Sequence, residues 1–288
     1  DSVHSNANIT INGGTFDIKS GDDGVHADSD LLIAGGNLLI SKSYEGLEGM
    51  TVTIDGGDID VTSRDDGINS AGGSDTMSMG RPGRNSFNNS AISSDCYIRI
   101  SDGFIVVNAD GDGLDSNGNL YLDGGTVIVN GPTNSGNGAL DYDGTCTITG
   151  GTLIAAGAAG MAQSPTSSST QNVVSVILPS SQAAGTMVSI VDESGTSVIT
   201  CSPTKQFQSV IISSPLLTGG STYTVYYGGS FNGSSESGLY EGSGYRPGTE
   251  LSIFTISNVI SNVSNGSATG KMGIGGFGGG GMGSGRMR

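Results

Sequence analysis

From Ile9 to Ala155 the apolar residues follow one repeated pattern: two alternating apolar positions, a glycine pair, then two more alternating apolar positions. The first apolar positions are Ile9, Leu31, Val52, Ile98, Leu120 and Cys146, and the pairs are Gly13-Gly14, Gly35-Gly36, Gly56-Gly57, Gly124-Gly125 and Gly150-Gly151, with Asp102-Gly103 standing in on the fourth repeat. Each repeat holds three short pieces of period two, such as Ile9/Ile11, Phe16/Ile18 and Val25, which predict three short strands. A fixed period of about 21–22 residues means stacked coils. Strands that pair with their equivalents one coil later are parallel, and such connections are right-handed by strong preference. The predicted fold is therefore all-β: a right-handed, three-sided parallel β-helix. The glycine pairs read as corners that need positive φ, not as a phosphate loop.

Successive glycine pairs lie 22, 21, 46, 22 and 26 residues apart, and the 46-residue gap contains an extra stretch, 74–94, expected to be an insertion loop. The coils are expected to span 1–163. Beyond them the period is lost, and longer apolar runs with hairpin spacing, such as those either side of Asp192-Glu193-Ser194-Gly195, predict β strands over 164–265 that continue or cap the solenoid. A Gly/Met-rich tail fills 266–288.

The polar positions carry a second pattern. A few residues after each glycine pair comes an acidic-Gly step: Gly-Asp-Asp-Gly-Val-His at 21–26, Tyr-Glu-Gly-Leu-Glu at 44–48, Asp-Asp-Gly-Ile-Asn at 65–69 and Gly-Asp-Gly-Leu-Asp at 111–115. Aligned, the coils place Asp22, Tyr44, Asp65 and Gly111 before the step, Asp23, Glu45, Asp66 and Asp112 at it, and His26, Glu48, Asn69 and Asp115 three residues on. Stacked coils would hold such carboxylates about 4.8 Å apart. A ladder of this kind repels itself unless a cation neutralises it. Oxygen-rich donors suit Ca²⁺ at several sites, whereas Zn²⁺ would require His or Cys, of which only His26 is near. Asp110 joins this candidate set, as do Asp141 and Asp143 in Asn-Gly-Ala-Leu-Asp-Tyr-Asp at 137–143, one residue out of register. A single Asp-Gly step is ordinarily a turn former, so the weight lies in the repetition. His26 also fits a simple hydrogen bond to a neighbouring acid, and His4 carries no signal of its own.

Composition narrows the partners. Fifty-one glycines and no Trp suit a turn-rich solenoid, and 27 acidic against 11 basic residues give a formal charge of −16, a poor match for nucleic acid. No apolar run approaches the roughly 20 residues that span a bilayer. A chain beginning at Asp1 is expected to have lost a leader, which points to secretion or the cell surface. Cys146 falls in the apolar column and reads as a small core residue. No spacing places Cys96 and Cys201 together.

The coil length, the Gly-Gly pattern and the Asp-Asp-Gly-[Val/Ile]-[His/Asn] corners resemble a family of clostridial cell-surface β-helix proteins that bind cellulose and acidic polysaccharides such as pectin. That family is similar in fold to the family-nine polysaccharide lyases, in which calcium held by aspartates at i, i+1 and i+4 bridges the protein to a galacturonate carboxylate. The same spacing occurs here as Asp22-Asp23-His26 and Asp65-Asp66-Asn69, with His or Asn at the third position. The resemblance implies a non-catalytic, calcium-dependent adhesin acting as a monomer on plant cell-wall polysaccharide, acidic in preference and cellulose besides, with Lys42, Tyr44, Arg64 and His26 near the sugar. Two alternatives stand beside it: a lyase with Lys42 or Arg64 as the base, and an envelope solenoid that calcium merely rigidifies.

Overall fold

The computed structural model describes residues 1–71 and 95–264. The expected insertion at 74–94 and the tail from 266 lie outside the described residues. Among those described, every regular element is a strand.

The coils stack in the register that the apolar pattern predicts. Ile9, Leu31, Val52, Ile98, Leu120 and Cys146 are successive parallel partners in one column. Phe16, Leu38, Ile59, Ile105, Val127 and Leu153 form a second column, and Val25, Leu47, Ile68, Leu114 and Leu140 a third. Val52 meets Ile98 directly, so the strands on either side of the 46-residue spacing are neighbours in the stack. The strands Val25–Ile33 and Leu47–Ile54 run through the bend and serve two columns, which joins the first and third stacks in one ten-stranded sheet. The second stack belongs to a separate nine-stranded sheet.

All three columns point inward and, apart from Ile9 and Phe16 at the first coil, are closed to solvent. Burying each Val, Leu or Ile is worth roughly 1.5–3 kcal/mol, and a solenoid collects this at every rung. Cys146 is fully buried in its column, and all three cysteines are free thiols. The second glycine of each pair makes the corner: Gly36 and Gly57 have φ of 114° and 109°, which a side chain would strain.

The parallel stack ends when Phe207–Ser213 pairs antiparallel with Thr152–Gly157 of the last coil. Val173–Gln182 adds antiparallel to that strand, and Ile260–Ser264 closes the order. Reversing strand direction covers an edge that would otherwise offer unpaired backbone groups. A second apolar core, containing Phe207, Val176 and Phe254, lies beneath a six-stranded sheet in this region. Val188–Asp192 and Ser197–Cys201 form the hairpin expected around Asp192-Glu193-Ser194-Gly195, with Gly195 at φ 84°.

Candidate functional site

The acidic-Gly steps stack at one corner of the coil. Their first task is to pair the backbone of the next rung. Asp23 Oδ1 accepts from the Glu45 N–H at 2.9 Å, Asp66 Oδ1 from the Asp112 N–H at 2.6 Å, and Asp112 Oδ1 from the Gly138 N–H. Asp1 Oδ1 does the same for the Asp23 N–H at 3.2 Å. Glu45 is a methylene longer and instead accepts from Asn69 Nδ2 at 2.8 Å.

The glycine of each step is required for a reason other than turn chemistry. A Cβ on Gly24 would sit 2.6 Å from the Gly46 carbonyl, and one on Gly67 2.6 Å from the Gly113 carbonyl and against Val107. None of these glycines has positive φ. They are sites where the backbone of one coil approaches the next too closely for a side chain.

Three residues further on, alternation along the strand turns the next side chain away from the core. Here the registers build a continuous row: His4, His26, Glu48, Asn69, Asp115 and Asp141. This is the row read from the sequence, extended at both ends. The two rows converge, so that carboxylate oxygens of Asp66, Asp112 and Asp115 lie within 4.8 Å of one another.

Electrostatics at this convergence is unfavourable for bare carboxylates. Burial foremost, then neighbouring acids, pushes Asp115 up to about 8, Asp66 to about 7 and Asp112 to about 6. Glu45 rises to about 8, again through burial foremost. Burial also raises Asp23 and Asp141. In the midst of the row Asn69 is only 5% exposed, and its Oδ1 is a buried acceptor with no hydrogen-bond partner. A buried carbonyl without a donor costs about 1–3 kcal/mol, so it too calls for a donor or a cation.

At the position before each step Asp22 and Tyr44 are exposed, Asp65 is half-buried and Gly111 is buried. Asp22, Tyr44, Asp65 and Gly111 follow one another through backbone hydrogen bonds. Tyr44 donates to Asp65, and that bond foremost holds its hydroxyl up at about 12. The Arg64 guanidinium lies 5.6 Å from the centre of the Tyr44 ring, and its Nη2 donates to the Gly21 carbonyl at 2.9 Å. Gly111 is the one non-acidic, non-aromatic member, because a Cβ there would meet the carboxylates of Asp65 and Asp66. Lys42 is exposed and stands in register with Lys19.

The remaining candidates fall elsewhere. Asp110 is 70% exposed and ion-pairs at 2.7 Å with Lys205 from the C-terminal region. Asp143 is also exposed, and its coil contributes Asp141, which accepts from Gln163 Nε2 at 2.8 Å. The apparent one-residue slip in this coil is corrected by the register: Asp141 pairs with Asp115, and Gly138, not Asn137, stands where the step acid belongs. His4 is also reassigned, since it sits on strand Val3–Ser5 with its ring stacked on His26 at 4.9 Å. Tyr97 and Tyr121 form an edge-to-face pair at 6.3 Å, with Arg99 5.7 Å from the Tyr121 ring and bound to Asp123 at 2.6 Å. Their outward alternation with Ile98 and Leu120 was legible in the sequence. A separate open cleft of about 660 Å³ lies between Phe104 and Thr126 on the coils and the segment around Phe231, Glu236 and Glu241.

Residues 1–83 match a family model described as "Carbohydrate-binding domain-containing protein". That match and the β-solenoid together fit a β-helix carbohydrate-binding family. No curated protein and no solved structure matches the chain. The matched segment includes the first three acidic steps and excludes the cleft around Phe231. No helix among the described residues is long and apolar enough to cross a membrane.

Proposed function

We propose that this protein is a non-catalytic adhesin that binds acidic plant cell-wall polysaccharide of the polygalacturonate type, with cellulose as a secondary polymer, through calcium held on the acidic row. Carbohydrate binding in general is supported by the family match. The observation that carries the finer reading is the convergence of Asp66, Asp112 and Asp115 beside the unpartnered buried Oδ1 of Asn69. These four side chains offer only oxygen toward a cation, which favours calcium over zinc or copper.

Asp66, Asp112, Asp115 and Asn69 fit such an ion, and Glu45, Glu48 and Asp141 extend the same donor row along the coils. Bound there, calcium would supply a positive charge with room for a sugar carboxylate, which a chain of net charge −16 otherwise repels. Tyr44 presents an exposed ring beside the row, and Arg64 a guanidinium across it. Those two suit the face and the carboxylate of a uronic acid. A surface location follows from such a ligand. The lyase alternative rests on Lys42 or Arg64 as a base; Arg64 is already committed to the Gly21 carbonyl and Tyr44. The envelope-scaffold alternative keeps the calcium and drops the sugar.

Sedimentation with insoluble pectin and with cellulose, with calcium and with chelator, tests this directly. Retention on pectin that chelator abolishes is expected. Indifference to both polymers would leave only the scaffold. Ultraviolet absorbance of unsaturated product, followed on polygalacturonate with calcium, would instead establish a lyase.

A further inference from the structure

The chain has two histidines, and the fold stacks them on adjacent rungs. Their rings are 4.9 Å apart and parallel within 2°. Both Nδ1 atoms face Asp1 Oδ2, at 3.3 Å for His4 and 3.4 Å for His26. Both Nε2 atoms face Asp28 Oδ1, at 3.5 and 3.6 Å. On the Nδ1 side His26 also has Glu48 at 3.5 Å and Asp23 at 3.8 Å.

A neutral imidazole carries one N–H and one lone pair. Two rings each held between two carboxylates therefore cannot give every carboxylate a proton. If Asp28 takes both Nε2–H groups, two Nδ1 lone pairs turn toward Asp1, Asp23 and Glu48. Two imidazole nitrogens with the carboxylates of Asp1, Asp23 and Glu48 on one side of the rings, and the Asp28 carboxylate on the other, are the donor types that a borderline divalent metal takes. Such an arrangement differs in kind from the all-oxygen row near Asp115.

We propose that His4, His26 and Asp1, with Glu48 or Asp23 completing the set, form a zinc site at the N-terminal end of the acidic row, oriented by Asp28. One ring nitrogen each of His4 and His26 and a carboxylate oxygen of Asp1 lie within 4.8 Å of one another, as do single ligand atoms of Asp23, His26 and Glu48. His26 is 99% buried in this cluster while His4 is about one-third exposed; the rings stand parallel, so the outer one turns for both Nδ1 atoms to meet one ion. The site links the first strand, Val3–Ser5, to the coils.

The chelator-stripped full chain is titrated with Zn²⁺ by calorimetry and with Co²⁺ by visible absorption. One Zn²⁺ per chain at this site is expected, undisturbed by excess calcium, with intensified Co²⁺ bands of nitrogen-containing, low-coordinate geometry. Asp28→Asn should weaken Zn²⁺ about tenfold to a hundredfold, and His4→Ala by more. Asp66→Asn, in the oxygen row, should leave Zn²⁺ affinity unchanged. His26→Asn serves as a second ligand variant, with circular dichroism verifying the coils of both. Equal Zn²⁺ affinity in His4→Ala and the unsubstituted chain, or a Co²⁺ spectrum identical to the aqueous ion, overturns the proposal. Failure of calcium-dependent pectin binding would leave these outcomes untouched, so the two readings fall separately.

Discussion

Asp23 and Glu45 sit one coil apart, and the side chain of the first accepts from the backbone N–H of the second at 2.9 Å. Repeated from Asp66 to Asp112 and from Asp112 to Gly138, this bond makes the step acid a bracket between rungs as well as a charge in the row. The two roles oppose each other. The acceptor oxygen stabilises the corner, while the charge is disfavoured by burial and by its neighbours.

Two substitutions at one position separate those roles. Asp66→Ala removes the acceptor for the Asp112 N–H and should destabilise the chelated protein by about 1–3 kcal/mol. Asp66→Asn keeps an oxygen there and removes the charge, so it should match or exceed the parent in chelator. Both should lower bound calcium. Denaturant melts with and without calcium, together with metal analysis, read the difference; equal metal content in both variants and the parent would remove the row as a calcium site.

Without cations, stability should fall as pH rises from about 4 to about 8. Glu45, Asp66, Asp112 and Asp115 have folded-state values raised to about 8, 7, 6 and 8 from ordinary values of 3.8 to 4.5. Across that interval the folded chain holds more protons than the unfolded one, so raising pH favours unfolding. Calcium should flatten the profile. Thermal melts in chelator that rise across the interval would contradict the burial of these acids.

The step glycines can be tested sterically. Gly67→Ala would drive a Cβ into Val107 and the Gly113 carbonyl, and should cost roughly 1–3 kcal/mol or prevent folding. Gly21→Ala, where nothing lies within 4 Å, should change stability by less than about 0.5 kcal/mol. Parallel urea titrations of the two variants compare them.

Asp110 should behave unlike the row. Asp110→Asn removes its exposed ion pair to Lys205, worth no more than about 1 kcal/mol, and should leave calcium content unchanged. Loss of an ion in this variant would return Asp110 to the site.

The sequence by itself determined the coil. Inward columns such as Leu31, Val52 and Ile98 follow from alternation at period two, and the corner glycines from a demand for positive φ at Gly36 and Gly57. Both are local consequences of the chain, so they survive without knowledge of any partner. The same holds for the hairpin around Gly195 and for the row from His26 to Asp115. Only the tertiary structure decided what lies across the rungs. His4 joins His26 because strand Val3–Ser5 adds a coil too short to show the repeat. Asp141 enters the row because register, not the Asn-Gly dipeptide, sets its level. Asp110 is drawn to Lys205, 95 residues away, by the return of the cap onto the coils. The step acids are brackets because each N–H at that corner must find an acceptor, and the nearest one belongs to the previous rung. Those outcomes depend on which backbone groups stacking leaves unpaired, and periodicity carries no record of that.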